Sequence, residues 1–288
     1  PGGFKAVDST AERPSMYVTG DEVMVDLTGP WKVRRGTDAS KLPALPMPAA
    51  VNQHTPSGLY NGMIQPLLPY AVRGMIWYQG ESNRARAEEY YALFPAMIVD
   101  WRTRWGDLEL PFYFVQLAPF EYGNSDAGGR TAMVREAQAR TAETLPATGM
   151  ALTADIGNPR DIHPKNKWTV GDRLARFAKR DVYGMTDVIA DGPKLRGVVA
   201  DGATLRVELD HVHGRLSPIG ETLAHFEVAG ETGDYVAATA RISDDGQAIL
   251  LMADGVDAPR HARYLWDDSA EATVMGGAGL PLAPFRTR

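Results

Sequence analysis

Gly74-Met75-Ile76-Trp77-Tyr78 runs directly into Gln79-Gly80-Glu81-Ser82-Asn83, a short apolar stretch emptying into a polar turn. Too brief for a helix, the apolar part predicts a buried strand that ends in a loop. The sequence beyond it repeats that alternation. Tyr90, Phe94, Met97, Ile98, Trp101 and Trp105 recur at spacings of three and four, the pattern of an amphipathic helix. Asn83 is a candidate cap for that helix, and Pro95, which has no backbone donor, predicts a kink in it. Residues 112–117, Phe-Tyr-Phe-Val-Gln-Leu, form a second buried strand, 131–143 a second helix and 150–154 a third strand. A last helix over 167–182 stops at Gly184, with Lys179 and Arg180 in its final turn. Strands alternating with helices predict an α/β fold, a parallel sheet with helices on both faces. In such sheets ligands bind at the loops leaving the carboxyl ends of the strands.

Outside this α/β stretch, taken as 59–190, the pattern changes. Residues 1–58 are rich in Pro, Thr and Ser and hold two strand-like runs, at 22–27 and 31–33. Pro43, Pro46 and Pro48 then mark an extended linker, so the segment reads as the tail of an inserted β-rich piece. After Asp191 the signals are all β. Runs at 204–209 and 248–251 are punctuated by turns such as Asp201-Gly202 and Asp254-Gly255, predicting a small C-terminal β-sandwich over 191–288.

Composition removes several function classes. A formal net charge of −6 lacks the basic face that nucleic acid requires. Apolar runs are broken by Arg, Gln or Gly too soon to span a membrane. The absence of cysteine rules out disulfides, thiolate metal sites and cysteine nucleophiles. Asp155, Asp161 and His163 could cluster around a metal, and His211 and His213 would share one face of a strand. No paired-histidine motif supports either arrangement, so no metal is expected.

Two loops carry the chemistry. In Asp155-Ile156-Gly157-Asn158-Pro159-Arg160-Asp161-Ile162-His163-Pro164, a histidine sits close to carboxylates on a Gly/Pro-rich turn. That combination suits a general base whose imidazole is oriented by Asp161 or by Asp155. In the first loop, Gln79, Gly80 and Asn83 could aim amide donors at an oxyanion. Ser82 lacks the second glycine of a nucleophile elbow, Gly-x-Ser-x-Gly. Arg135, Glu136 and Gln138 read as buttresses that support the site through buried hydrogen bonds. Trp101, Arg102, Trp105 and Asp107 read as helix packing with surface ion pairs, and Trp77 and Tyr78 as core aromatics or a sugar-stacking wall.

Taken in order, these blocks resemble the sialate O-acetylesterase family, within the SGNH-type hydrolases. The resemblance rests on Leu59-Tyr60-Asn61-Gly62-Met63-Ile64, Pro66-Leu67-Leu68-Pro69-Tyr70, Trp77-Tyr78-Gln79-Gly80-Glu81-Ser82-Asn83 and Asp100-Trp101-Arg102. It continues through Val115-Gln116-Leu117-Ala118, Arg135-Glu136-Ala137-Gln138, Ile162-His163-Pro164-Lys165-Asn166-Lys167 and Phe226-Glu227-Val228-Ala229-Gly230 to Gly279-Leu280-Pro281. It implies a three-layer α/β hydrolase domain with accessory β-domains and cofactor-free hydrolysis of O-acetyl esters on an acetylated carbohydrate, in a periplasmic or secreted setting. His163 would be the acid–base, Asp161 its orienter, and the Gln79-Gly80-Glu81-Asn83 turn the oxyanion and substrate-positioning side, Gln79 foremost. The family's Gly-Gln-Ser-Asn-type nucleophile block does not occur in the chain. The expectation is therefore an esterase whose serine comes from an N-terminal fragment of the same protein or from another polypeptide. The alternative is a non-catalytic carbohydrate-binding or structural fragment derived from such an esterase.

Overall fold

The computed structural model describes residues 17–20, 23–26, 52, 55–68, 70–123 and 129–287. The chain divides into two compact units, Pro1–Gly62 and Met63–Arg288. In the first, β1 (Tyr17–Gly20) and β2 (Val23–Asp26) pair antiparallel with Gly20 opposite Val23. The strand expected at 22–27 is therefore present, with a partner the sequence did not announce. The run at 31–33 lies outside the described residues.

The second unit is mixed α/β. Its parallel sheet has three strands in the order β3 (Met75–Trp77), β4 (Phe112–Val115) and β5 (Thr148–Ala151). Met75 aligns with Phe112, and Phe112 in turn with Thr148, so the carboxyl ends of all three strands emerge together. Helices α1 (Ala87–Trp105), α2 (Arg130–Thr144) and α3 (Lys167–Phe177) connect and flank them. Successive side chains of a strand point to opposite faces, and β4 uses both. Phe112 and Phe114 join a core with Tyr90, Phe94 and Ile98 of α1 and Val134 and Ala137 of α2. Tyr113 and Val115 join another with Val170, Leu174 and Phe177 of α3. Phe94 meets Phe114 edge-on at 4.8 Å, an arrangement worth about 0.5–1.5 kcal/mol beyond burial alone.

Several sequence expectations need correction. Helix α1 is assigned continuously through Pro95, and its cap is not Asn83, which lies inside a short 3₁₀ turn, Glu81–Arg86. Among the described residues Arg102 makes no surface ion pair. It is buried, donating from Nε to the Leu110 carbonyl at 2.8 Å and from Nη2 to that of Ala147 at 2.9 Å, and burial lowers its pKa. Strand β5 ends at Ala151, three residues before the apolar run does. The backbone of 152–154 is claimed from elsewhere: Arg173 Nη1 donates to the Leu152 carbonyl at 2.6 Å, and Ala272 N donates to that of Ala154 at 2.9 Å.

From Lys194 onward the chain is antiparallel. Strands β6 (Lys194–Asp201), β7 (Thr204–Asp210), β11 (Thr239–Ile242) and β12 (Ala248–Met252) form one sheet, in the order β11-β12-β7-β6. A second sheet contains β9 (Phe226–Ala229), β10 (Val236–Ala237), β13 (His261–Tyr264) and β15 (Phe285–Arg286), in the order β10-β9-β13-β15. Short β8 (Ser217–Pro218) and β14 (Val274–Met275) pair beside them. Leu205, Val207, Ile249 and Leu251 of the first sheet share one core with Val228, Ala262 and Tyr264 of the second. His211 and His213 follow β7 with φ of +58° and +52°, so they occupy a turn and do not alternate along a strand.

Candidate active site

Parallel pairing brings the two chemistry-bearing loops to one end of the sheet. Past β3, Gly80 is buried at φ +149°, a conformation that L side chains rarely adopt. A Cβ there would lie 3.1 Å from Tyr90 Oη and 3.4 Å from Leu117 Cδ2, so the turn is seated directly on α1 and the end of β4. Tyr90 Oη donates to the Gln79 carbonyl at 3.4 Å, and Asn83 N donates to that of Gly80 at 2.9 Å. Gln79 and Ser82 are exposed, while Glu81 and Asn83 are half-buried. Gly80→Ala combines backbone strain with crowding and is expected to cost about 1–3 kcal/mol. A thermal melt reads this directly, and an unchanged midpoint would show that the turn does not depend on glycine.

Glu81 lies among three phenols. Burial first, and then the charge of Glu81, pushes Tyr78 and Tyr122 up to about 12; burial likewise raises Tyr90. All three therefore remain neutral hydroxyls at physiological pH. Arg84 anchors the same loop. Its guanidinium lies 4.4 Å from the Tyr122 ring, donates to Thr131 Oγ1 at 2.9 Å and pairs with Asp268 at 2.9 Å.

Beyond β4, the chain is clamped by α2. Gln138 Oε1 accepts from Leu117 N at 3.0 Å, while its Nε2 donates to the Val115 carbonyl at 3.2 Å. Arg135, only 1% exposed, donates to the carbonyls of Leu117 (3.0 Å), Ala118 (3.2 Å), Asp267 (2.8 Å) and Asp268 (2.9 Å). Glu136 turns outward from this clamp, accepting from Tyr91 Oη and from Arg286 Nη2 at 2.8 Å. Arg135 and Gln138 thus hold backbone at the site end of the sheet, whereas Glu136 ties α2 to β15.

Beyond β5, Asp155 is held by Arg173 through two 2.6 Å hydrogen bonds, with both side chains almost fully buried. Removing either partner from such a pair strands the other charge. Asp161 Oδ1 accepts from His163 N at 3.0 Å, and Asp161 N donates to the Asn158 carbonyl at 3.0 Å. Among the described residues, then, the Asp161 carboxylate engages the backbone of His163. The His163 side chain itself is exposed.

Three contacts tie this loop to its neighbours. Glu121 N donates to the Pro159 carbonyl at 2.8 Å. Gly157 lies so close to Pro119 that a Cβ would come within 2.5 Å of its Cδ. Lys167 Nζ, at the start of α3, sits 4.5 Å from the Tyr78 ring. Trp77 instead packs into the core, edge-on to Trp101 at 5.7 Å.

The sequence reading missed the Asp155–Arg173 pair, the Arg84–Asp268 pair and the approach of residues 267–268. A signal existed for Arg173, because it falls among Val170, Leu174 and Phe177 on the buried face of α3. A cleft of about 670 Å³ lies elsewhere, lined by Arg140, Glu143, Met150, Lys194, Gly197 and Phe285 among others.

Carbohydrate esterases described as sialic acid-specific acetylesterases match residues 50–180 of the chain. Sialate O-acetylesterase of Rattus norvegicus is 35% identical over 156 residues, covering 48% of this chain and 29% of the relative. That of Homo sapiens is 32% identical over 189 residues, covering 57% and 35%. The crystal structure of a carbohydrate acetylesterase from Xanthomonas citri superposes with a TM-score of 0.74 at 41% identity, covering 80% of this chain and 54% of that one. The chain thus spans about a third of the length of the curated relatives it matches, and about half of the solved structure.

Proposed function

We propose, from the match of residues 50–180 to sialic acid-specific acetylesterases, that the chain supplies the acid–base half of a Ser-His-Asp site for carbohydrate O-acetyl esters. The observation that carries this reading is that the Gln79 turn and the loop bearing the exposed His163 leave the same end of the parallel sheet, with Lys167 just beyond that loop over the Tyr78 ring. A serine outside these 288 residues attacks the acetyl carbonyl, and His163 takes the hydroxyl proton. Gln79 and the backbone of Gly80, with Asn83 beside them, face the developing oxyanion. Collapse breaks the ester bond, and His163 returns the proton to the departing sugar oxygen. Water then hydrolyses the acetyl-serine, releasing acetate and regenerating both groups.

Asp161 is the orienter of His163 in this scheme. Its backbone bond to residue 163 supports that role by fixing the turn that presents the imidazole. Asp155 is already neutralised by Arg173, which argues for a structural role. Arg135 and Glu136 support the site from α2. The same proposal includes a three-layer SGNH-like domain over 59–190, an inserted-domain tail over 1–58 and a β-sandwich over 191–288. Cores on both faces of β4 and the one shared by the antiparallel sheets support it. The substrate is an acetylated carbohydrate, and a periplasmic or secreted location completes the reading. Among the described residues no helix is long and apolar enough to cross a membrane.

A fluorophosphonate probe tests the assignment of the nucleophile. Applied to the protein extended upstream of Pro1, it is expected to label one upstream serine and to leave Ser82 unmodified, as peptide mass spectrometry would report. An adduct on Ser82 would move the nucleophile into this chain. No adduct, together with calorimetric sugar binding, would favour the carbohydrate-binding fragment.

A further inference from the structure

Trp168 is 89% exposed, the extreme among the large apolar side chains of the described residues. Tryptophan carries more apolar surface than any other side chain and is seldom left so bare. The local structure gives it no packing task. It occupies the first turn of α3, whose buried residues Val170, Arg173, Leu174 and Phe177 lie on the opposite face. Nor does it cap the helix, because Asn166 Oδ1 accepts from Thr169 N at 3.2 Å. The turn that bears it is firmly seated, held by this cap and by Lys167 over the Tyr78 ring. The indole is thus displayed from a rigid mount.

Its surroundings indicate the kind of ligand it suits. Lys165, Asn166 and Lys167 beside it are exposed and polar, so hydrogen-bonding side chains flank the indole on the chain. A flat apolar face ringed by hydrogen-bonding groups matches a pyranose, which offers a C–H face and a rim of hydroxyls. The weakly positive C–H hydrogens lie favourably against the negative face of the aromatic ring. His163 is five residues away, so the two Cα atoms are separated by at most about 18 Å. That span accommodates a neighbouring sugar of an oligosaccharide while the acetylated ring sits at the histidine.

We propose that Trp168 is a stacking platform for a sugar unit flanking the acetylated one, making the substrate an acetylated oligosaccharide or polysaccharide. This rests on the esterase reading above, and the experiment separates the two. In the upstream-extended protein, kcat and KM are measured for Trp168→Ala and Trp168→Phe on 4-nitrophenyl acetate, which has no sugar. The same is done on whichever is cleaved best of acetylated xylo-, xyloglucan-, pectin- and sialyl-oligosaccharides. Trp168→Ala is expected to lower kcat/KM on the oligosaccharide by about 10–100-fold, mainly through KM, with the aryl acetate unaffected. Trp168→Phe, which keeps an aromatic face, should recover most of the loss. Equal losses on both substrates would indicate a structural role, and no loss on the oligosaccharide would mean that Trp168 contacts no sugar; either result overturns the platform. Failure of the esterase reading has its own signature: His163→Ala would then leave aryl acetate hydrolysis unchanged.

Discussion

His163→Ala, made in the upstream-extended protein, is expected to lower kcat for aryl acetate hydrolysis by about 10⁴–10⁶-fold. The size follows from the double duty proposed for the imidazole, accepting the nucleophile's proton and returning it to the leaving oxygen. Without it the serine remains a neutral alcohol, and only the oxyanion donors contribute. The exposure of His163 makes the experiment clean, because truncating an exposed side chain disturbs little packing, and the thermal midpoint should stay within about a degree. Asp161→Asn should cost less than His163→Ala, since an amide oxygen can still accept from His163 N and preserve the turn. An extended enzyme that kept its full rate after loss of His163 would remove the basis of the mechanism.

Arg135→Met is expected to destabilise the protein by about 3–5 kcal/mol, the cost of dismantling a buried charged hydrogen-bond centre. Methionine can occupy similar space but donates nothing, leaving the carbonyls of Leu117, Ala118, Asp267 and Asp268 without this donor. For a chain of this size the loss corresponds to a fall in Tm of roughly 10 °C. Arg135→Lys should recover only part of it, because a compact ammonium cannot reach carbonyls set out around a planar fork. Denaturant titration with unchanged m-value would confirm that stability is the quantity altered. A midpoint shift below about 1 kcal/mol would show that water replaces the guanidinium at these carbonyls.

The elements most legible in the sequence were those whose residues have no alternative place to go. Phe112, Tyr113, Phe114 and Val115 are buried on both faces of a parallel strand, and a continuous apolar run is the direct record of that burial. The stop at Gly184 was equally readable: α3 ends at Phe177, a π-helical segment, Ala178–Val182, prolongs it almost to Gly184, and the φ of +70° there suits glycine best. The end of β5 was not, since Leu152 and Ala154 are as buried as strand residues while their carbonyls serve Arg173 and Ala272. Arg135 was read as a buried buttress, but the carbonyls it would serve were not foreseen, and Arg102 and Arg173 were not read as buried at all. Arg102, Arg135 and Arg173 address backbone carbonyls, and an acceptor that every residue carries leaves no trace in side-chain pattern.

For the site, sequence reading singled out two loops that the fold brings to one end of the sheet, yet it could not see that Asp155 is engaged by Arg173, 18 residues further along the chain. The turn positions of His211 and His213 were hidden for a related reason. Alternation alone cannot distinguish a strand from the backbone reversal that follows it.

The Arg135 clamp also bears on how the chain can be re-engineered. Two of its four carbonyls come from Asp267 and Asp268, and Asp268 also holds Arg84 of the Gln79 loop. The antiparallel C-terminal portion is consequently not an interchangeable cassette. A chimera that grafts a foreign module after α3 must reproduce this one short stretch of main chain, whatever else it alters, or the scaffold beneath the candidate site loses its keystone.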